Sequence, residues 1–160
     1  MTSYEGHPDD EFLGTIKLNL FSLFLLAKTL LPLLRQAASA DNPARIINIA
    51  SLAGCKVASQ RYPAYMSSNA GLIHLTKDMA QKFAQYNITV NSISPGPFDS
   101  QMLRDVTTEE EYTHISDVVP LRRLGNTKDI TGTVVFLASD AGSFITGTDT
   151  ALDGGVFIMP

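Results

Sequence analysis

The sequence of 160 residues contains a single cysteine, Cys55. One cysteine cannot form an internal disulfide framework, and such scarcity is typical of proteins from a reducing compartment. Positive charge is also scarce, because 12 Lys and Arg residues stand against 16 Asp and Glu residues and leave a formal net charge of −4. Without a Lys/Arg cluster that could neutralise phosphates, we expect no binding to nucleic acid.

Signals for secretion or membrane insertion are also lacking. The first residues are polar and acidic, whereas a secretory signal has a basic segment followed by an apolar one. The most apolar stretch, Leu18–Leu34, is interrupted by Asn19, Lys28 and Pro32, and it is shorter than the about 20 apolar residues of a spanning helix. We therefore expect no membrane partner, a buried or interface helix at this stretch, and a cytoplasmic protein.

Metal and hydrolase chemistry find little support. The three histidines show no metal-ligand spacing, and one cysteine cannot complete a zinc site, so no metal is expected. The residues around Ser51 do not form the G-x-S-x-G turn of a hydrolase. Cys55, next to Lys56, is either a nucleophile or an inert loop cysteine. The acidic run Glu109–Glu111 is typical of a solvated surface.

Helical and strand-like segments alternate along the chain. Apolar residues at intervals of three and four indicate helices, and short β-branched runs indicate buried parallel strands. This alternation predicts an α/β fold in which helices connect the strands of a parallel sheet. The predicted elements are a helix over Asp9–Ala38, a strand over Arg45–Ala50, a loop over Ser51–Arg61, a helix over Tyr62–Tyr86, a strand over Asn87–Ser94 ended by Pro95, an irregular flap with one short helix over Asp99–Pro120, a helix from an N-cap at Thr127 to Ser139, and a strand over Thr148–Leu152.

Ser51 and Tyr65 form the strongest candidate site. Ser51 follows the carboxyl end of a predicted strand, and Tyr65 comes near the start of the next helix, with Asn19 and Asn48 as further polar candidates. Ligands of open α/β sheets bind at this edge, where a serine hydroxyl could hold a carbonyl oxygen while a tyrosine exchanges the proton. The alternative is structural: Ser51 caps a loop and Tyr65 packs in its helix.

Six sequence segments, in order, carry a family resemblance. The chain resembles the C-terminal two-thirds of a short-chain dehydrogenase/reductase over nearly all of its length. The segment Leu34–Gly54 is especially similar to bacterial β-ketoacyl reductases of the rhamnolipid-associated type and to their fungal relatives. The six segments are Lys17-Leu-Asn19-Leu20; Ile46-Ile-Asn48-Ile-Ala-Ser51 with Gly54; Tyr65-Met-Ser-Ser-Asn69-Ala-Gly-Leu; Val90-Asn91-Ser-Ile-Ser-Pro95-Gly96; Leu124-Gly125; and Phe136-Leu-Ala-Ser139 with Thr146-Gly147 and Asp153-Gly154-Gly155.

The resemblance implies a fold and an activity. The fold is a Rossmann-like parallel sheet with helices on both faces, present as its C-terminal portion only. Residues 1–160 would then be a single partial domain without the first, nucleotide-binding βαβ units. The activity is NAD(P)-dependent oxidation or reduction of a carbonyl/alcohol pair in a small molecule, in secondary or fatty-acid-like metabolism. A homo- or hetero-oligomer would form through the Leu18–Leu34 helix.

The resemblance also assigns roles to single residues. Ser51 would polarise the carbonyl, Tyr65 would be the general acid/base, and Asn19 would support a proton-relay water through its helix backbone. Asn91 would be structural. The cofactor is NADP or NAD, with NADP favoured; Tyr65 would also contact it, and its nicotinamide end would be lined by Pro95, Gly96, Phe98 and Ser100.

Two departures from the family pattern bear on activity. The family motif is Tyr-x-x-x-Lys, and here Asn69 stands in place of the lysine, among the expected catalytic and cofactor-contacting residues. Asparagine can hydrogen-bond a ribose hydroxyl, but it lacks the charge with which the motif's lysine lowers the pKa of the tyrosine. The Gly-rich turn that binds the pyrophosphate is not found in the sequence. Impaired cofactor binding is therefore expected, and the alternative function is a non-catalytic homologue that is a dimerisation partner or a non-functional gene product.

Overall fold

The computed structural model describes residues 6–57 and 62–159. Three strands form its sheet: β1 (Ala44–Ile49), β2 (Ile88–Pro95) and β3 (Asp149–Leu152). The α-helices are α1 (Asp9–Ile16), α2 (Ser22–Ala37), α3 (Pro63–Phe83), α4 (Gln101–Val106), α5 (Glu109–Val118) and α6 (Thr127–Ala138). Short turns are π-helical at Lys17–Phe21 and 3-10 at Leu52–Gly54, Ala84–Tyr86, Asp140–Gly142 and Val156–Ile158.

The sheet is parallel, with the strand order β1-β2-β3. Its central strand β2 is buried along almost its whole length, as its apolar and β-branched sequence predicts. Pro95 belongs to β2 and pairs with Leu152, whereas the sequence predicted it to end the strand. Proline has no N–H, but the N–H of a residue at this position would face β1, which has already ended. On the β3 side the pairing continues, because Gly96 N donates to Leu152 O.

Helices cover both faces of the sheet, which confirms the predicted Rossmann-like architecture. Ile46 packs against a core formed by α2, α3 and β2. Arg45 points to the opposite face because side chains alternate along a strand. Its guanidinium donates to the carbonyl of Ser139, directly after α6, so α6 lies on that second face. The buried residues of the core between α2, α3 and β2 are Ala27, Met79, Ala80, Ile88 and Val90.

The N-terminal helix is confirmed as continuous, but it is not buried. Lys17–Phe21 is a π-helical turn within it, and Ala27 is the buried residue of α2. A helix buried on all sides is therefore excluded, because one face packs on the fold and the other faces solvent. The exposed large apolar residues of this helix are Leu13, Leu18, Phe21, Phe24, Leu25, Leu26, Leu30 and Leu33.

The same helix meets the length and composition of a membrane span. Asp9–Ala37 has 29 residues, and its most apolar window has a mean hydropathy of 1.5 and is 6% buried. The predicted apolar segment, Leu18–Leu34, was too short by itself, but the helix continues beyond it at both ends. A core helix of a soluble protein and a signal sequence near the N-terminus meet the same criteria of length and composition, so these criteria alone do not establish a membrane span.

Two further expectations need correction. The flap between Asp99 and Pro120 contains two helices, α4 and α5, and not one short helix. The second helix begins with a capping box, in which Thr108 and Glu111 satisfy each other's main-chain N–H groups. The N-cap of α6 is Asn126 and not Thr127, because the Asn126 side chain accepts from Lys128 N.

Candidate functional site

The carboxyl ends of β1 and β2 bring together the two predicted site segments. Parallel strands end at the same edge of a sheet, so the segment after Ile49 lies beside the segment after Pro95. The first carries Ser51, and the second carries Gly96 and Phe98. Ligands of open α/β sheets bind at this edge, which is therefore the candidate site.

Ser51 begins the 3-10 turn Leu52–Gly54. Its backbone is extended, and its Oγ accepts a hydrogen bond from Ala53 N over 3.2 Å. The residue is 9% exposed. Ser51 thus caps the turn, as the structural interpretation predicted, and its hydroxyl proton is not consumed by this bond because the oxygen is the acceptor.

Gly54 places the Ser51 loop directly on helix α3. A Cβ atom at Gly54 would lie 2.7 Å from Ala70 N and 2.7 Å from Asn69 C, which is closer than carbon and nitrogen atoms approach without a bond. A glycine is needed at this position because any side chain would collide with the helix backbone. The contact lies one helical turn after Tyr65, so the loop of Ser51 and the helix of Tyr65 meet at this edge.

Tyr65 lies in the first turns of α3, and its main-chain carbonyl accepts two side-chain hydrogen bonds. Ser68 Oγ donates to this carbonyl over 2.9 Å, and Asn69 Nδ2 donates to it over 2.8 Å. Both donors are buried. Two side-chain donors on one carbonyl fix the helical turn that carries the Tyr65 ring. A cleft shared by the Tyr65 and Ser51 hydroxyl groups stays a prediction.

Asn19 is held near this turn from the other helix. It lies in the π-helical turn Lys17–Phe21, and its Nδ2 donates to Ser68 Oγ over 3.3 Å. Because Ser68 donates in turn to the Tyr65 carbonyl, the two helices are linked by a chain of hydrogen bonds. A π-helical turn within an α-helix frequently marks a functional position. The sequence did not point to Ser68 as the residue that connects Asn19 to Tyr65. A small polar residue inside a helix carries no sequence signal of such a contact.

The segment after β2 has a fixed backbone. Gly125 N donates to Pro97 O over 2.9 Å and Asp99 N donates to Gly125 O over 3.0 Å, so this strip is pinned to the segment before α6. The Phe98 ring covers Gly125, where a Cβ atom would lie 2.5 Å from the ring. The hydroxyl of Ser100 accepts from Leu103 N and caps α4.

The segment that was expected to line the nicotinamide end of a dinucleotide lies at the candidate edge of the sheet. Pro95, Gly96 and Phe98 form a rigid strip at the edge where ligands bind. Asn69 presents an amide, but its Nδ2 is already bonded to the Tyr65 carbonyl. A small pocket of about 80 Å³, lined in part by Phe98 and Leu121, lies near the strip; ligand pockets usually have about 300–1,000 Å³. Neither Ser51 nor Tyr65 lines this pocket, so it is not the candidate site.

A carboxylate anchors the flap beside this strip. Asp99 Oδ1 accepts from Tyr112 Oη over 2.7 Å and from Arg104 over 2.6 Å, and the Arg104 guanidinium lies 4.4 Å from the centre of the Tyr112 ring. The Tyr112 hydroxyl and then the Arg104 guanidinium hold the pKa of Asp99 below its usual value. The flap helices α4 and α5 are thus tied to the residue that follows Phe98.

The other candidate residues have structural roles. Asn91 Nδ2 donates to Ile145 O over 2.7 Å and its Oδ1 accepts from Thr148, which agrees with the structural role implied for it. Asn48 Nδ2 donates to Thr76 Oγ1. Cys55 is exposed, but partial desolvation of its thiol and a hydrogen bond to Asp149 raise the pKa of the thiol, which disfavours a nucleophilic thiolate. Within the described ranges, no three His, Cys, Asp or Glu residues could hold a metal ion.

Comparison with known proteins identifies the family. Residues 1–157 match the family model described as "Enoyl-(Acyl carrier protein) reductase". The chain is 36% identical over 152 residues to the "Rhamnolipids biosynthesis 3-oxoacyl-[acyl-carrier-protein] reductase" of Pseudomonas aeruginosa, a match that covers 94% of this chain and 59% of that protein. It is 35% identical over 150 residues to the "3-oxoacyl-[acyl-carrier-protein] reductase FabG" of Haemophilus influenzae, which covers 94% of this chain and 60% of that protein.

A solved structure gives the same result. The "Pseudomonas aeruginosa RhlG/NADP active-site complex" superposes with a TM-score of 0.91 and 35% identity, over 97% of this chain and 61% of that one. The chain thus spans about three-fifths of the length of these relatives. Since the family model covers nearly all of its residues, the chain belongs to the short-chain dehydrogenase/reductase family.

Proposed function

We propose that the chain carries the catalytic residues of an NAD(P)-dependent oxidoreductase that interconverts a carbonyl group and an alcohol. The observation that carries this proposal is the packing of Gly54 on the backbone of α3, because it brings the loop of Ser51 against the helix of Tyr65. The proposed substrates are 3-oxoacyl compounds, since the two curated relatives are named as 3-oxoacyl reductases.

Each side chain has a distinct part in the proposed reaction. Ser51 donates its hydroxyl proton in a hydrogen bond to the carbonyl oxygen, since its Oγ already accepts from Ala53 N. Tyr65 gives its phenolic proton to the same oxygen during reduction and takes it back during oxidation. Asn19 and Ser68 hold the turn that carries Tyr65, and the proposed part of Asn19 is to support a proton-relay water through its helix backbone. Hydride transfer is the chemistry that a nicotinamide cofactor supplies when bound.

The cofactor contacts are proposed at the nicotinamide end. Pro95, Gly96 and Phe98 would line the nicotinamide, with Ser100 beside them at the start of α4, and Asn69 would face the ribose. NADP is favoured because a similar solved structure is an NADP complex. Weak binding is proposed for the chain of 160 residues, since its sequence holds no Gly-rich pyrophosphate turn.

The proposed assembly is a dimer in the cytoplasm, formed through the Leu18–Leu34 helix. This surface combines Leu18, Phe21 and Leu25, each at least 45% exposed. A contiguous exposed apolar surface of this kind marks an interaction site. Nothing in the relatives described above supports the alternative of a non-catalytic dimerisation partner.

The test is cofactor oxidation with a short 3-oxoacyl thioester. We expect NADPH consumption by the wild-type chain and a loss of about 10²–10⁴-fold in the Tyr65→Phe variant, since the phenolic proton is removed. Tyr62→Phe is the matched control, because Tyr62 lies at the start of the same helix and is exposed. An unchanged rate in Tyr65→Phe, or the absence of NADPH and NADH binding by calorimetry, contradicts the proposal.

A further inference from the structure

Asp149, the first residue of β3, joins three parts of the fold that no sequence motif connects. Its Oδ1 accepts from Ser92 Oγ over 2.6 Å, and both of its carboxylate oxygens lie 2.9 Å from Ser94 Oγ. Its Oδ2 accepts from Cys55 Sγ over 3.4 Å. A single carboxylate therefore links the central strand, the edge strand and the loop that follows β1.

The position of this carboxylate is fixed by the sheet. Asp149 lies opposite Ser92 in the β2–β3 register, and Ser92 and Ser94 are fully buried. Buried hydroxyl groups need a hydrogen-bond partner, and a charged acceptor gives the stronger bonds. The two serines thus hold the Asp149 side chain in one orientation, with its second oxygen directed to Cys55.

Cys55 directly follows the 3-10 turn Leu52–Gly54 that begins after Ser51. Gly54 packs on α3, and the bond from Cys55 to Asp149 then adds an anchor on the sheet itself. The next residue makes a third contact: Lys56 Nζ donates to Met159 O over 2.6 Å. The turn between Ser51 and Cys55 is therefore held between the helix on one side and the sheet on the other.

We propose that Asp149 is a positioning residue, which holds the Ser51 hydroxyl in register with the substrate carbonyl through the thiol of Cys55. This rests on the proposed function, in which Ser51 bonds that carbonyl. The raised pKa of the thiol agrees with this role, because a protonated thiol is the form that donates.

The test uses the full chain and three variants. Cys55→Ala removes the donor, Cys55→Ser replaces it by another donor, and Asp140→Asn is the control because the Asp140 side chain is almost fully exposed. We expect amide exchange over residues 51–57 to become about two- to tenfold faster in Cys55→Ala, which is the effect of losing one hydrogen bond. Cys55→Ser and Asp140→Asn exchange as the wild type does.

The kinetic arm separates positioning from general stability. Cys55→Ala lowers kcat and leaves KM unchanged, and Cys55→Ser restores kcat, because the serine hydroxyl also donates to Asp149. Equal exchange over residues 51–57 in Cys55→Ala and the wild type overturns the proposal. If the wild type has no turnover, the proposed function fails, and the exchange experiment still decides whether Asp149 and Cys55 hold the loop.

Discussion

Asn69 donates its side-chain amide to the main-chain carbonyl of Tyr65 over 2.8 Å. The two residues lie one helical turn apart on the same face of α3, and Asn69 is 4% exposed. In the family motif a lysine stands at this position. The substitution therefore replaces a charge beside the proposed acid/base by a neutral group that is occupied with the helix backbone.

Asn69→Lys should raise the rate of alcohol oxidation. A positive charge one turn from Tyr65 favours the ionised phenol, so less alkaline conditions suffice to generate the base. We expect the pH–rate profile of oxidation to move to lower pH and the rate near neutral pH to increase about tenfold or more. Asn69→Gln, which adds length without charge, is the control, and an equal gain in both variants would refute the electrostatic explanation.

Gly54→Ala should destabilise the protein and displace the Ser51 loop. The new methyl group would lie 2.7 Å from the backbone of α3, and overpacking of this kind costs about 1–3 kcal/mol. Gly132→Ala is the matched control, since nothing lies within 4 Å of its Cβ position in α6 and alanine is favoured over glycine in a helix by about 0.5–1 kcal/mol. Urea unfolding measures both variants, and a stable Gly54→Ala chain with wild-type turnover would contradict the packing.

The ion pair before α6 should contribute acid-dependent stability. Two hydrogen bonds from Arg123, and then one from Asn126 N, lower the pKa of Asp129 to about 2. A carboxyl whose pKa is depressed on folding stabilises the native state above its unfolded pKa, and this contribution is lost as the pH falls from about 4 towards 2.

Arg123→Gln should therefore raise the pKa of Asp129, as measured by NMR titration of its carboxyl group. It should also reduce the loss of stability between pH 4 and pH 2 in urea unfolding. Arg122→Gln is the control, because the Arg122 guanidinium bonds a main-chain carbonyl and not a carboxylate. A titration curve of Asp129 that is the same in Arg123→Gln as in the wild type would rule out the ion pair as the cause.

Charge on the exposed face of the N-terminal helix should prevent self-association. Leu18 and Leu25 are 70% and 45% exposed, and burying such side chains in an interface contributes about 1.5–3 kcal/mol each. We expect a dimer of the wild-type chain in sedimentation velocity and a monomer for Leu18→Glu with Leu25→Glu. Leu13→Glu, on the same helix but outside the predicted interface, should leave the dimer intact; a monomeric wild type would exclude this assembly.

The outer edge of β1 should promote aggregation. In the described part of the chain, β1 pairs on one side only, with β2, and Ile49 near its end is 50% exposed. Unpaired strand edges associate with other chains unless charge blocks them. Ile49→Lys should reduce light scattering at high concentration, whereas Val57→Lys, in the loop beyond the strand, should not; a wild-type chain that remains free of aggregates would contradict this expectation.

Periodicity and composition predicted most of the fold because its elements are locally consistent. The apolar intervals around Leu72, Leu75 and Met79 predicted α3, which ends at Phe83, three residues before the predicted end. The β-branched run predicted β1 within one residue of its observed bounds, but the strand is mostly half-buried and not fully buried. The flap was predicted less well, because α4 and α5 contain no buried residue in the described structure and so show no apolar periodicity. Their starts are set by the caps at Ser100 and Thr108.

The sequence by itself determined the family and the order of elements, and it supplied Ser51, Tyr65 and Asn69 as candidate site residues, because all of these depend on local pattern and on motif order. It could not reveal the link from Cys55 to Asp149 or from Asn19 to Ser68, since residues far apart in the chain meet only when helices and strands are packed. Only the tertiary structure decided that the N-terminal helix keeps one apolar face exposed. The physical reason is that burial depends on which surfaces the rest of the fold covers, and local sequence does not encode that.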